Sequence, residues 1–235
     1  MKFWQAIVLY LFFRNGAGLL LAPVLGVTGT PFMVADCLAT LALGALMLAG
    51  NAPARRMLLR VRLPLLGWSL LLAVGLDMAS KVTLLLYVLL QPSVDLSYTG
   101  STWIQVLYVA ILAPITEEFV ARGAMISGLC QWIPWQAAVA ISTLLFVLGH
   151  SGLYKIPQTL LISLVLGYLC WYTGSMMYGI VVHLFINCGS VVQSLVSPLW
   201  TVPDPGPAGY AVITLAGLAL TFWALRRMLR LSLIH

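Results

Sequence analysis

Two acidic residues and an arginine lie within a stretch of this chain that is otherwise apolar. Glu117, Glu118 and Arg122 are flanked by uncharged, mostly apolar runs over 106–112 and 123–126. At the centre of a bilayer each such group would cost about 2.5 to 3.5 kcal/mol, and ionisable residues at that depth usually have a function. This segment is therefore the first candidate for a functional site.

The spacing of these residues predicts different roles for the two carboxylates. Glu118 and Arg122 are four residues apart, so on a helix they share a face and can form an ion pair. Glu117 is turned about 100° from Glu118 and is expected to point away from the pair and to be left free. A carboxyl group in that position could act as a general base. Pro114 lacks a backbone N–H and is expected to open the helix locally to water.

Further polar residues occur downstream in two other apolar segments. His150 ends the run 146–150, while His183 and Asn187 are four residues apart and share one helical face. With Glu117 as general base, His150 offers a second acid–base group. His183 and Asn187 offer hydrogen bonds to a developing oxyanion. The alternative is a purely structural polar network, since a single histidine in an apolar helix is more often a hydrogen-bonded core residue.

The nucleophile indicated by the sequence is water, because no serine or cysteine is paired with a base by its spacing. A zinc site built from Glu117, His150 and His183 is an alternative. However, the HExxH motif is absent, and the histidines lie on separate helices without the usual spacing. We therefore expect no metal and no cofactor. The cysteines have no CxxC spacing and are expected to be small core residues: Cys37, Cys130, Cys170 and Cys188.

The composition identifies the elements that must position these residues as membrane helices. Of 235 residues, 62% are hydrophobic and 8% are charged, against about 45 to 50% and about 25% in a soluble domain. The sequence predicts an all-α polytopic membrane protein, a single domain over 1–235, with a buried polar active site. Turn residues separate eight predicted transmembrane helices, near 3–22, 31–50, 64–90, 102–129, 134–150, 156–173, 175–196 and 208–229.

The basic residues predict the orientation of these helices. Seven of the twelve fall into two clusters: Arg55, Arg56, Arg60 and Arg62, and then Arg226, Arg227 and Arg230. The clusters flank apolar runs, which is the pattern of cytoplasmic loops rather than of nucleic-acid binding. With the first cluster in a cytoplasmic loop, eight spans place both clusters and both termini in the cytoplasm.

Other polar residues within the predicted spans have a structural interpretation. Asp77 and Lys81 are four residues apart and can pair, and Arg14 can pair with Asp36 on the next helix. The predicted topology also separates two site residues in depth, since His150 lies near the outer end of its helix and His183 nearer the inner end of its own. A tilted helix or a short fifth span is needed to bring them together.

These residues resemble those of a known family, the CAAX prenyl protease 2 and bacteriocin-processing family of intramembrane endopeptidases, also called the abortive-infection family. The resemblance covers roughly 102–196, the expected catalytic core, and the eight-helix layout is similar. The family motifs EExxxR, FxxxH and HxxxN match Glu117-Glu118 with Arg122, Phe146 with His150, and His183 with Asn187.

The resemblance implies a glutamate-dependent, metal-free mechanism. In this family pattern Glu117 and His150 would activate a water, and His183 and Asn187 would stabilise the transition state. Glu118 and Arg122, with Phe146, would support the site. One departure is Ala121, where members commonly carry an aromatic residue, and it is expected to change the packing near the arginine.

The expected function is therefore hydrolysis of a peptide bond near the C-terminus of a membrane-associated protein or peptide. The partner would be a substrate with a membrane-embedded or lipidated C-terminal region: a prenylated tripeptide, a maturing peptide or a sorting tail. The short loops resemble prokaryotic members, which suggests the inner cell membrane. A non-catalytic immunity or peptide-binding protein of the same family is one alternative. A proton-coupled transporter is another, but the chain lacks matching interrupted helices in two halves.

Overall fold

The computed structural model describes positions 42, 45, 49–50, 52–90, 103–150, 155–196 and 204–233. All regular structure in these ranges is helical. The first predicted helix and nearly all of the second lie outside the described residues, as do Cys37 and the Arg14–Asp36 pair. The number of membrane spans therefore stays a prediction.

Eight helices are present in the described ranges, and we number them in chain order. They are α1 (Ala52–Leu59), α2 (Leu63–Ala79), α3 (Val82–Leu90), α4 (103–129), α5 (Trp135–Leu148), α6 (Ile156–Thr173), α7 (Met177–Val196) and α8 (Gly206–Leu233). The last five correspond to the fourth to eighth predicted helices, and their ends differ from the predicted ones by no more than four residues.

The first half of the chain differs from the predicted helices in two places. The basic segment predicted as a loop contains α1, because Pro53 suits the first turn of a helix and the residues after it are good helix formers. The third predicted helix is broken at Ser80 and Lys81, where the Ser80 hydroxyl donates to the Asp77 carbonyl at 2.6 Å. The predicted pairing of Lys81 with Asp77 is confirmed at 3.4 Å.

Three stretches of helix are long and apolar enough to cross a membrane. They are Leu63–Tyr87 with 25 residues, Ile156–Thr173 with 18 and Gly206–Leu233 with 28. Two shorter apolar helices, Trp135–Leu148 and Met177–Gln193, accompany them. These lengths bracket the roughly 20 residues that a bilayer core requires. The helices therefore support a membrane location.

The helix α4 contains two π-helical segments, Tyr108–Leu112 and Phe119–Ile126. Pro114 accounts for the position of the first, because it has no N–H to donate to the carbonyl four or five residues before it. Two carbonyls of this segment accept bonds from α7: Asn187 Nδ2 donates to Val109 O at 2.9 Å and Cys188 Sγ to Ala110 O at 3.6 Å. The predicted local opening of the helix is thus filled by a neighbouring helix.

The second π segment is hydrogen-bonded to α5. The Ser142 hydroxyl of α5 donates to the Ala121 carbonyl at 2.9 Å. Ala121 itself is fully buried, so the small residue found where the family commonly has an aromatic one lies against α5. These bonds link α4 to α5 and α7, the helices that carry the other site residues.

The apolar core consists of three clusters of buried side chains that pack the helices together. One cluster unites α2, α6, α7 and α8, with Leu72, Leu166 and Met228 fully buried. A second joins the end of α4 to α5, and a third packs α1 against the turn between α6 and α7. Cys170 is buried as expected, but Cys130 is exposed because it lies in the turn that follows α4.

Candidate active site

The predicted ion pair of α4 is present and fully buried. Arg122 Nη1 lies 3.0 Å from Glu118 Oε1, and neither side chain is more than 1% exposed. The guanidinium also donates to Ser163 Oγ at 3.1 Å and lies over the Phe146 ring, 4.6 Å from its centroid. An arginine at this depth is thereby compensated by a carboxylate, a hydroxyl and an aromatic face.

Glu118 has a second contact, which the sequence did not predict. Its Oε1 lies 3.0 Å from His183 Nδ1. A carboxylate paired with an arginine only accepts hydrogen bonds, so we infer that Nδ1 of His183 carries the proton. The other ring nitrogen, Nε2, then faces Glu117 Oε2 at 3.9 Å. Glu118 therefore fixes both the orientation and the tautomer of this histidine.

The second histidine is fixed by its own helix. His150 Nδ1 lies 2.7 Å from the Phe146 carbonyl, which only accepts, so this nitrogen also carries the proton. Its Nε2 faces Glu117 Oε2, again at 3.9 Å. The Phe146 ring, 4.5 Å from the imidazole, packs against it.

Glu117 is consequently placed between two imidazoles, and the expectation that it is left free is wrong. Its Oε2 faces the Nε2 atoms of His150 and His183, and its side chain is 12% exposed. The depth difference predicted for the histidines disappears because α5 has only 14 residues. At 1.5 Å per residue it is about 21 Å long, shorter than a bilayer core of about 30 Å.

Asn187 lies on the same face of α7 as His183, as its spacing predicted. One of its two amide N–H groups is used by the Val109 carbonyl of the first π segment. This bond anchors the amide beside the cavity described next. Its position is therefore set by the carbonyl that Pro114 leaves unpaired.

A cavity of about 430 Å³ joins these groups to the surface. Its wall includes all four predicted catalytic residues and Phe146, together with Tyr108, Lys155, Gln158, Thr159 and Ser190. Lys155 and Ser190 are exposed, whereas Thr159 and His183 are buried. The mouth therefore lies at the beginning of α6 and towards the end of α7, and Glu117 lies deeper.

The arginine-rich end of the molecule lies at the opposite ends of the same helices. The Arg62 backbone N–H donates to the hydroxyl of Tyr178, near the beginning of α7, at 2.9 Å. The Arg62 guanidinium lies 3.4 Å from the Leu231 carbonyl near the end of α8. Both predicted basic clusters thus reach one end of the bundle, and the cavity opens towards the other.

No group of three His, Cys, Asp or Glu side chains in the described ranges has the geometry of a metal site. The set that comes nearest to such a group is Glu117, His150 and His183. Each histidine donates its Nδ1 proton to an oxygen, which is a pattern that also occurs behind metal ligands. In this set, each histidine Nε2 lies 3.9 Å from Glu117 Oε2.

One supporting residue was missed in the sequence. A Cβ atom on Gly179 would lie 2.6 Å from Glu118 Oε2, so only glycine lets α7 approach the buried carboxylate. Its signal was available, because Gly179 lies one helical turn before His183 and two before Asn187. A small residue in register with a polar face indicates close helix packing.

The comparison with protein families agrees with the motifs. Residues 99–189 match the model described as type II CAAX prenyl endopeptidase, Rce1-like. No curated protein and no solved structure gives a significant match to the chain. The matched stretch contains all three motifs and the helices that bring them together. Residues 99–189 are thus similar to the Rce1-like type II CAAX prenyl endopeptidases, a family of proteases.

Proposed function

We propose that this protein is an intramembrane endopeptidase that hydrolyses a peptide bond near the C-terminus of a membrane-associated protein or peptide. The observation that carries the proposal is the position of Glu117, whose carboxylate oxygen faces two histidine nitrogens in a cavity between apolar helices. A protein that only binds a peptide has no need of this arrangement. The match of residues 99–189 to a protease family supports the same conclusion.

The hydrogen-bond pattern favours water as the nucleophile. Both Nδ1 atoms are protonated, so in the neutral rings both Nε2 atoms are acceptors, as is the Glu117 carboxylate. A gap of 3.9 Å is too long for a direct hydrogen bond, yet a water oxygen about 2.8 Å from each atom fits beside it. Such a water donates to two acceptors and keeps a lone pair for the substrate carbonyl.

The reaction then needs only these side chains. Glu117 takes one proton from the water, and the hydroxide adds to the scissile carbonyl carbon. The resulting oxyanion accepts a hydrogen bond from Asn187 and one from His183. His183 can donate only after its Nε2 receives the proton that Glu117 took from the water, and the buried Glu118 carboxylate would compensate that positive charge. The same proton then passes, directly or through Glu117, to the leaving nitrogen as the C–N bond breaks.

The direction of the cavity suggests where the substrate enters. Under the positive-inside rule, the two basic clusters would mark the cytoplasmic end. The cavity opens at the other end, so substrates would enter from the non-cytoplasmic face. Lys155 provides a cationic group at the mouth, which suits the C-terminal carboxylate of a short tail.

The test is to identify new protein C-termini in membranes of cells that express the wild-type protein or Glu117→Gln. We expect a defined set of shortened membrane proteins or peptides only with the wild type. The corresponding synthetic peptides should be cut by purified protein in proteoliposomes. Peptides that bind to both proteins and are cut by neither would instead indicate the non-catalytic binding function.

A further inference from the structure

A second cavity lies at the arginine-rich end, away from the site described above. It has a volume of about 340 Å³ and is lined by Arg60, Arg62, Tyr172, Thr173, Tyr178 and Ser232, among others. It lies where α2 begins, α6 ends, α7 begins and α8 ends. We call it the basic pocket.

The positions of the two arginines are determined by the fold. Arg62 is held through its backbone by the Tyr178 hydroxyl, and its guanidinium lies 3.4 Å and 3.5 Å from the carbonyls of Leu231 and Ser232. Arg60 folds over the turn after α6: a Cβ atom on Gly174 would lie 2.9 Å from its Nη1. Gly174 also has a φ of +63°. Glycine therefore suits this turn for two reasons: it adopts the left-handed conformation, and it leaves room for the Arg60 guanidinium.

The chemistry of the pocket is that of an anion site. In the described part of the chain, no acidic residue lines it and neither arginine forms an ion pair with Asp or Glu. The Thr173 and Ser232 hydroxyls donate to the Leu169 and Leu229 carbonyls, so the guanidinium groups remain as the main donors to a ligand. Paired guanidinium groups match the oxygens of a phosphate.

The surroundings indicate an anion that carries apolar chains. Val61, Leu63 and Leu233 are exposed beside the pocket, Leu63 by 80% and Leu233 by 72%. Leu63 begins one candidate span and Leu233 ends another, and these spans would place the pocket at the level of lipid headgroups. A phospholipid could place its phosphate on the arginines and its acyl chains along these residues.

We propose that the basic pocket binds the phosphate of an anionic phospholipid headgroup. Basic pockets between membrane helices on the cytoplasmic side are suited to such headgroups. The site is separate from the Glu117 cavity, so this proposal does not depend on the proposed function.

The experiment uses the purified full-length protein in mixed micelles of phosphatidylcholine and phosphatidylglycerol, with bound lipid counted by native mass spectrometry. We expect one phosphatidylglycerol to be retained per chain. Arg60→Gln with Arg62→Gln should weaken retention at least about tenfold. The matched control, Arg226→Gln with Arg227→Gln, removes the same charge from exposed positions outside the pocket and should retain the lipid.

Each other outcome overturns the proposal. Equal retention by the Arg60/Arg62 variant would show that the pocket is not the site, and equal loss in the Arg226/Arg227 control would indicate only diffuse charge attraction. Displacement of the lipid by excess inorganic phosphate would identify a soluble phosphate compound as the ligand.

The single variant Arg60→Lys tests the proposal even if the double variant Arg60→Gln with Arg62→Gln does not fold. Arg60→Lys keeps the charge, removes the guanidinium fork and leaves the Arg62 contacts intact. It should bind measurably less lipid than the wild type, with an unchanged melting temperature. Unchanged lipid retention in this variant would rule out the paired-guanidinium contact.

Discussion

At the scale of single residues, the proposed chemistry depends on which ring nitrogens of the two histidines carry protons. Both Nδ1 atoms face oxygens that only accept hydrogen bonds, the Phe146 carbonyl and the Glu118 carboxylate. Both Nε2 atoms therefore face Glu117. Glu118 therefore compensates the positive charge of Arg122 and also orients the His183 ring. It is a positioning residue, whereas Glu117 faces the space where a substrate would react.

The first prediction concerns the base. Glu117→Gln should lower the cleavage rate at least about a hundredfold, because the amide cannot take the proton from water. Its melting temperature should stay near that of the wild type, since the change removes a charge from a largely buried position. The matched control is Asp77→Asn, which alters a carboxylate paired with Lys81 outside the cavity and should leave cleavage unchanged. Cleavage by Glu117→Gln at a near wild-type rate would contradict the assignment.

The second prediction separates support from chemistry. Arg122→Ala leaves Glu118 as an uncompensated buried charge, which should cost about 3 to 5 kcal/mol of stability as well as activity. Arg226→Ala removes an exposed arginine and should change neither. Thermal unfolding in detergent, measured beside cleavage, distinguishes the cases. Loss of activity with an unchanged melting profile would mean that the ion pair acts directly in catalysis.

The third prediction concerns metal. A water activated by Glu117 and His150 needs no cation, so purified protein should contain well below one zinc per chain. Activity should survive extended chelation. Elemental analysis and an assay before and after chelation are the measurements. Stoichiometric zinc, with activity lost on chelation and restored by zinc, would instead make His150 and His183 metal ligands.

At the scale of helices, the site is built around the irregular helix α4. Pro114 has no N–H to donate within the helix, and Asn187 and Cys188 of α7 donate to the Val109 and Ala110 carbonyls of the first π segment. The second π segment is tied to α5 through Ser142. The π segments of α4 thus supply the carbonyls that accept hydrogen bonds from α5, which ends just before His150, and from α7, which carries His183.

The fourth prediction tests the close approach of α7 to α4. Gly179→Ala would place a methyl group 2.6 Å from Glu118 Oε2 and should displace the carboxylate from His183. We expect lower thermal stability and loss of most activity. The control is Gly189→Ala on the same helix, where an added Cβ meets nothing within 4 Å. This control should be neutral or slightly stabilising, because alanine favours helix. Wild-type behaviour of Gly179→Ala would show that the helices are farther apart.

At the scale of the whole molecule, charge is distributed between two ends. The arginines of both basic clusters lie at one end, and the cavity mouth with Ser190 lies at the other. In the proposed orientation, the basic pocket would lie on the cytoplasmic side and the substrate entrance on the opposite side.

The fifth prediction tests that orientation by cysteine labelling in intact cells. In a background without other cysteines, Ser190→Cys should react with a membrane-impermeant maleimide from outside. The native Cys130, exposed in the turn after α4, is the control. Retained as the single cysteine, it should react only after the membrane is permeabilised. The reverse pattern would show that the cavity opens to the cytoplasm.

The sequence by itself determined the features that depend on local spacing. The positions of α4 to α8, the Glu118–Arg122 and Asp77–Lys81 pairs, and the shared face of His183 and Asn187 all follow from helical periodicity and turn residues. The resemblance to the family also followed from the sequence, because its motifs are short patterns of the same kind. Such features involve residues within one or two helical turns, so the regular geometry of the helix is sufficient to predict them.

Only the tertiary structure decided how the helices meet. The position of Glu117 between two imidazoles depends on the short length of α5 and on the close approach of α7 at Gly179. The contact of Glu118 with His183 joins residues 65 positions apart, and the basic pocket joins Arg62 to a carbonyl 169 positions away. Helical periodicity says nothing about the distance between separate helices. Side-chain packing and the unpaired carbonyls of α4 determine that distance, and with it the geometry of the site.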